Sequence, residues 1–197
     1  MKRWSVVAIG SLLALLLIGG ASSFFTDVAK SNGNEISSGK FDIAISKEGT
    51  RYYNDLKIFQ FSGMKPGDER TFEFYVKNRG DIAVSKLTLV FHVTDREDGE
   101  MSPAEKEVDN TTDVGELSKC LIVKSVEVYR GNSSYAINGV SGKTFREISG
   151  KELELLRERL DKGENIRLAV TVEFSPGAGN ECQSDSVRVD MELRAEQ

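Results

Sequence analysis

The sequence holds one histidine, two cysteines and three prolines among 197 residues, and each scarcity removes a class of function. A catalytic zinc needs two or three imidazole or carboxylate ligands around an activated water, and His92 alone makes no HExxH pair. A Ser/His/Asp triad built on His92 lacks its GxSxG elbow. Two cysteines provide neither a CxxC nor a cysteine-rich metal spacing. With no Walker loop and no GxGxxG turn, phosphate has no cradle. Basic residues are in short supply as well. Lys and Arg number 26 against 31 Asp and Glu, and the resulting net charge of -5 gives a nucleic acid nothing to bind. The few prolines, the lack of a polar repeat and a hydrophobic content of 39% exclude collagen-like and disordered chains. Paired acids are uninformative, because a chain with 31 of them always offers two carboxylates for glycosidase chemistry. One domain around one core is expected at this length.

The N-terminus has the order of a secretory signal: Lys2 and Arg3, an uncharged run from Trp4 to Phe25, and the small residues Ala21, Ser22 and Ser23 at its end. Residues 1–23 are therefore read as a signal peptide cleaved before Phe24, the alternative being an uncut membrane anchor. A type IV pilin leader fits poorly, because its peptidase cuts before the apolar run. Removing the segment deletes two bases and no acid, so the exported domain is acidic. Beyond Gln197 no apolar tail or lipidation signal is seen, so only the N-terminal segment, before cleavage, is expected to touch a membrane.

Cys120 and Cys182 both lie in the exported part, where an even pair favours a disulfide over two separate buried thiols. Asn110 and Asn132 open N-x-[ST] triplets, the N-glycosylation pattern, which requires accessible loops.

Period-two alternation marks strands around Phe41, Ile43 and Ile45; Phe72, Phe74 and Val76; Leu87 to Val93; Val126 and Val128; Ile166 to Phe174; and Val187 to Leu193. His92 falls out of phase with Leu89, Phe91 and Val93 and is expected to face outward. Pro66-Gly67-Asp68, Asn78-Arg79-Gly80 and Pro176-Gly177-Ala178-Gly179 punctuate these runs. The pattern predicts an all-β, antiparallel, jelly-roll-like sandwich over residues 39–197. One peripheral helix is predicted, capped by Ser149 with Glu152 three residues on, carrying Leu153, Leu156 and Leu160 on one face and ending at Gly163. From Asp95 to Lys119 nine acids meet three bases, which reads as a long solvated surface loop. Its Asp95, Glu97, Asp98, Gly99 and Glu100 miss the EF-hand spacing, since the glycine comes one position early. No cofactor or metal is expected.

Four segments carry a resemblance. Phe25-Thr26-Asp27 is followed by Ser38-Gly39-Lys40-Phe41-Asp42-Ile43, then by Met64-Lys65-Pro66-Gly67-Asp68 with Asn78-Arg79-Gly80, and finally by Gly179-Asn180-Glu181-Cys182-Gln183-Ser184-Asp185-Ser186. In this order they resemble the TasA/camelysin family of secreted fibre-forming proteins processed by a SipW-type signal peptidase. Cys182 departs from the pattern, where an aromatic would be expected.

The resemblance implies a non-enzymatic jelly-roll subunit of extracellular filaments, of the biofilm-matrix or pilus-like kind. Residues 24–38 would then be a donor strand and linker, with Phe24, Phe25 and Val28 as apolar anchors completing the sheet of the next subunit. The expected partner is a second copy of the chain, with accessory fibre or cell-surface proteins besides, and no nucleic acid. Two alternatives stand: a camelysin-like cell-surface metalloprotease, and a monomeric, membrane-anchored surface adhesin.

Overall fold

A computed structural model describes residues 26–30, 42–61, 63–97, 103, 106–108, 115–182 and 185–197. The strands run β1 (Thr26–Lys30), β2 (Ile43–Ser46), β3 (Glu69–Asn78), β4 (Lys86–Glu97), β5 (Leu121–Arg130), β6 (Ser133–Ala136), β7 (Lys143–Thr144), β8 (Glu152–Glu154), β9 (Asn165–Phe174) and β10 (Asp185–Glu196). Two short helices, α1 (Leu117–Cys120) and α2 (Phe145–Ile148), accompany them. One antiparallel sheet has the order β1-β10-β4-β8, the other β2-β3-β9-β5-β6 with β7 also on β5. The all-β sandwich read from the alternation is the fold.

The alternation has a direct physical cause. Phe72, Phe74 and Val76 of β3, Ile166, Leu168, Val170 and Val172 of β9, and Val126 and Val128 of β5 turn one sheet's inner face toward Leu87, Leu89 and Phe91 of β4 and Met191, Leu193 and Ala195 of β10. Between the sheets lies a segment without regular structure, and its Phe59 meets Phe72, Phe91 and Phe145 edge-on at 5.0, 5.7 and 6.0 Å between ring centres. Such edge-to-face contacts suit the ring quadrupoles and fill the core without polar atoms.

Two expectations need correction. Residues 149–163 do not form a helix. The helix ends earlier, at Ile148, and its capping box is Thr144 with Glu147, not Ser149 with Glu152. Gly150 takes a φ of 73°, a left-handed conformation that stops the helix, and Leu153 then enters β8. Leu153, Leu156 and Leu160 are buried all the same, through an edge strand and a loop. The acidic stretch after Asp95 is also more ordered at its ends than a solvated loop. β4 extends to Glu97, and α1 buries Ser118 and Cys120.

Candidate functional site

The quoted motifs come together as architecture. Asp42 and Arg79, far apart in sequence, meet twice: the Arg79 N–H donates to the Asp42 carbonyl at 2.7 Å, and Nη2 reaches Oδ1 at 2.8 Å. Asn78 beside them is fully buried and fully satisfied. Its Nδ2 donates to the carbonyls of Ile82 at 2.8 Å and Leu160 at 3.1 Å, while Oδ1 accepts from Gly80 N–H at 3.0 Å. The Lys65 to Asp68 turn closes on itself through Asp68 N–H to the Lys65 carbonyl at 2.9 Å. Gly67, at φ 89°, supplies the left-handed position a type II turn requires there.

β10 forms the more open site. Its twelve residues pair with β4 throughout, whereas β1 covers only Glu192 to Glu196, opposite Thr26 to Lys30. Asp185 to Met191 therefore has a strand neighbour on one side only among the described residues. A groove of about 670 Å³ runs along that stretch, between residues 55–61 and 187–190, with Leu56, Ile58 and Phe61 facing Val187 and Val189. Of the proposed anchors, Val28 sits in β1 opposite Arg194; Phe24 and Phe25 lie outside the described residues.

His92 faces outward as expected, and its Nε2 lies 2.7 Å from Glu192 Oε2. Arg194 holds the same carboxylate at 3.0 Å and also reaches Glu152 on β8 at 2.8 Å. Burial works against the charge on Glu192, but the hydrogen bonds from Arg194 and His92 outweigh it and hold the carboxyl below its ordinary range.

The third place is the end of the sandwich where β4, α1 and β10 converge. A disulfide joins Cys120 to Cys182, with their Cα atoms 6.7 Å apart. Asp95 accepts from both Ser118 N–H, at 2.8 Å, and the Ser118 hydroxyl, so a β4 carboxylate caps α1. Glu116 N–H donates to Asp185 Oδ2, and Glu97 reaches the same carboxyl through a side-chain hydrogen bond. Burial pushes the Asp185 carboxyl up to about 7; the Glu116 N–H bond opposes this, and the charges of Glu97 and Glu116 add to it. Sequence reading quoted Asp185 only as part of a motif and gave Glu116 no role, and nothing in their spacing pointed to the contact between them. Of the two sequons, Asn132 is exposed in the turn between β5 and β6, and Asn110 lies outside the described residues.

Taken together, a two-sheet antiparallel sandwich with a half-covered edge and a disulfide-pinned end defines the class. The chain belongs to the family described as camelysin metallo-endopeptidase, whose model matches residues 1–197. No curated protein matches it. The match corrects one expectation directly: the chain was read as not an enzyme, and the family's description names a metal-dependent protease.

That description implies a metal ion. Among the described residues the only group of three metal-ligand side chains with donor atoms all within 4.8 Å is Cys120, Glu181 and Cys182. Its two sulfurs are bonded to each other, and the single imidazole is engaged by Glu192. The nitrogen and sulfur donors present thus do not fit a catalytic zinc, and no reaction step is derived through one.

Proposed function

We propose that the chain is an exported structural subunit of extracellular filaments, assembled head to tail when β1 of one copy takes the edge of β10 in the next. The carrying observation is the pairing of β1 with β10. A five-residue strand occupies the edge of a twelve-residue one, antiparallel, and is joined to the rest of the domain only through residues 31–41. A strand that docks on its own sheet edge docks in the same register on an identical edge of a neighbour, and repetition of that exchange gives an open polymer. The buried core includes side chains from both sheets, among them Phe74 and Leu168 of one and Phe91 and Leu193 of the other. The groove beside Val187 and Val189 supports further contact along the same edge. Cleavage after Ser23, a location outside the cell or on its surface, and the roles of Phe24, Phe25 and Val28 belong to this reading. Among the described residues no helix is long and apolar enough to cross a membrane.

The test is deletion of residues 24–30 from the processed protein. Wild-type protein should form filaments visible by electron microscopy, and the deletion variant should remain a folded monomer by circular dichroism and sedimentation. Filaments of normal length from the variant would refute the proposal. The second reading, carried by the family's description, is a camelysin-like metallo-endopeptidase. It is tested by cleavage of a protein substrate with and without chelator, and a chelator-sensitive activity that copurifies with the monomer would favour it.

A further inference from the structure

The turn between β5 and β6 carries a motif that strand exchange does not use. Asn132-Ser133-Ser134 is the one N-x-[ST] triplet among the described residues, and it straddles the turn and the start of β6. Arg130 pairs with Ser133, so Gly131 and Asn132 alone make the reversal, and all three residues of the triplet are exposed. The turn stands clear of the protein: a Cβ at Gly131 would meet nothing within 4 Å. Buried Asn78 spends its amide on hydrogen bonds to Ile82, Leu160 and Gly80, and Asn54 Oδ1 accepts from Arg79 at 2.7 Å. The Asn132 amide and the Ser134 hydroxyl have no such partner among the described residues.

The surroundings let this triplet be presented to an enzyme. β6 is four residues long, lies at the end of its sheet's order and pairs with β5 alone among the described residues. Its inward anchor is Tyr135, whose hydroxyl donates to the Leu155 carbonyl at 2.5 Å, with the Arg157 guanidinium 4.1 Å from the ring centre. Ser133 and Ser134 lie on the turn side of that anchor and bury little, so opening them loses few hydrogen bonds and almost no apolar contact. The place in the fold matters as well. β6 faces β8 of the other sheet across a groove between residues 135–138 and 152–157, whereas β1 lies against β2 on the opposite flank. A bulky group on Asn132 therefore stands away from the edge where β1 and β10 meet.

We propose that Asn132 is N-glycosylated on export, by transfer of an oligosaccharide from a lipid-linked phosphate donor. The inference rests on the export that the filament reading includes. Asn132 Nδ2 attacks the anomeric carbon of the donor sugar. The carbon–nitrogen bond forms as the bond from that carbon to the phosphate oxygen breaks, the electron pair leaves with the lipid phosphate, and a base of the transferase takes one Nδ2 proton. The Ser134 hydroxyl, two residues on, is the group by which such an enzyme reads the site. Sugar here would shield the outer edge of β6 from strand addition and leave the β10 edge as the place of exchange.

The experiment is mass spectrometry of peptides from the chain purified from the cells that naturally make it. The peptide containing Asn132 should carry a mass increment that fragments into sugar residues. Asn132→Gln and Ser134→Ala, each expressed in the same cells, should lose the increment, while Ser134→Thr and Ser133→Ala should keep it. Where Asn132→Gln fails to fold, Ser134→Ala carries the test. An unmodified Asn132 in the exported wild type overturns the proposal, as does an increment that survives Asn132→Gln and so belongs to a serine. Asn132→Gln should still form filaments; loss of assembly in the folded variant would overturn the placement of the sugar away from the exchange edge. Filaments with a bare Asn132 refute this inference alone, whereas a glycosylated chain that never polymerises refutes only the filament reading.

Discussion

Removing the cross-link between Cys120 and Cys182 offers a quantitative check on how the sandwich is held at one end. The bond spans a sequence separation of 62, and chain-entropy reasoning for a loop of that size gives a stabilisation of about 4 kcal/mol. For a domain of this size each kcal/mol moves the melting temperature by about 2–4 °C, so the double variant Cys120→Ala, Cys182→Ala should melt roughly 8–16 °C lower. Urea titration should show the midpoint falling and the slope rising, because an unfolded chain freed of its cross-link exposes more surface. Reduction of the wild type with a dithiol should reproduce both changes. A loss of less than about 1 kcal/mol would refute the reasoning. It would mean that the hydrogen bonds from Ser118 to Asp95 and from Glu116 to Asp185 already hold these ends together, leaving the bond nothing to constrain.

Asn78→Ala should cost about 3 kcal/mol in the same urea assay, since it orphans the carbonyls of Ile82 and Leu160 and the N–H of Gly80; a loss under 1 kcal/mol would mean that water replaces the side chain. Stability should decline as pH rises from 4.5 through about 7. The raised Asp185 carboxyl binds its proton more tightly folded than unfolded, so the stability linked to it is fully present below its ordinary value of 3.8 and lost above about 7. Glu147, held low by the Thr144 N–H, and Glu164, held low by the Asp161 N–H, act in the opposite sense and lose stability only as pH falls below 4.5. Melting curves across this range should therefore peak near the acid end, and Asp185→Asn should flatten the decline; an unchanged slope in that variant would assign the effect to another group.

The strands were readable because their alternation reports burial on one face, and residues such as Phe72, Phe74 and Val76 obey it. The misplaced helix shows where that signal runs out. Leu153, Leu156 and Leu160 have helical spacing, yet tertiary contacts bury them from an edge strand and a loop, and the left-handed Gly150 was a stronger local instruction than the pattern of leucines. Phe59 and Phe61 lie in a segment with no period at all, so their place at the centre of the aromatic cluster could not be read from spacing. The acidic end was hidden for a different reason. Glu97 and Asp185 lie 88 residues apart and meet because β4 and β10 pair along their whole length, and the backbone of Glu116, ahead of α1, then reaches Asp185.

The way β1 rests on its own sheet bears on when the proposed strand exchange could begin. Trading a home edge for an identical foreign one exchanges like hydrogen bonds for like, so each joint gains little energy from the swap itself. The tether keeps the native strand at an effective concentration of roughly millimolar beside its slot, and rivals must crowd to comparable density before they displace it. On the proposed assembly, a subunit built in this way would travel self-sealed and turn into fibre only where its local concentration climbs.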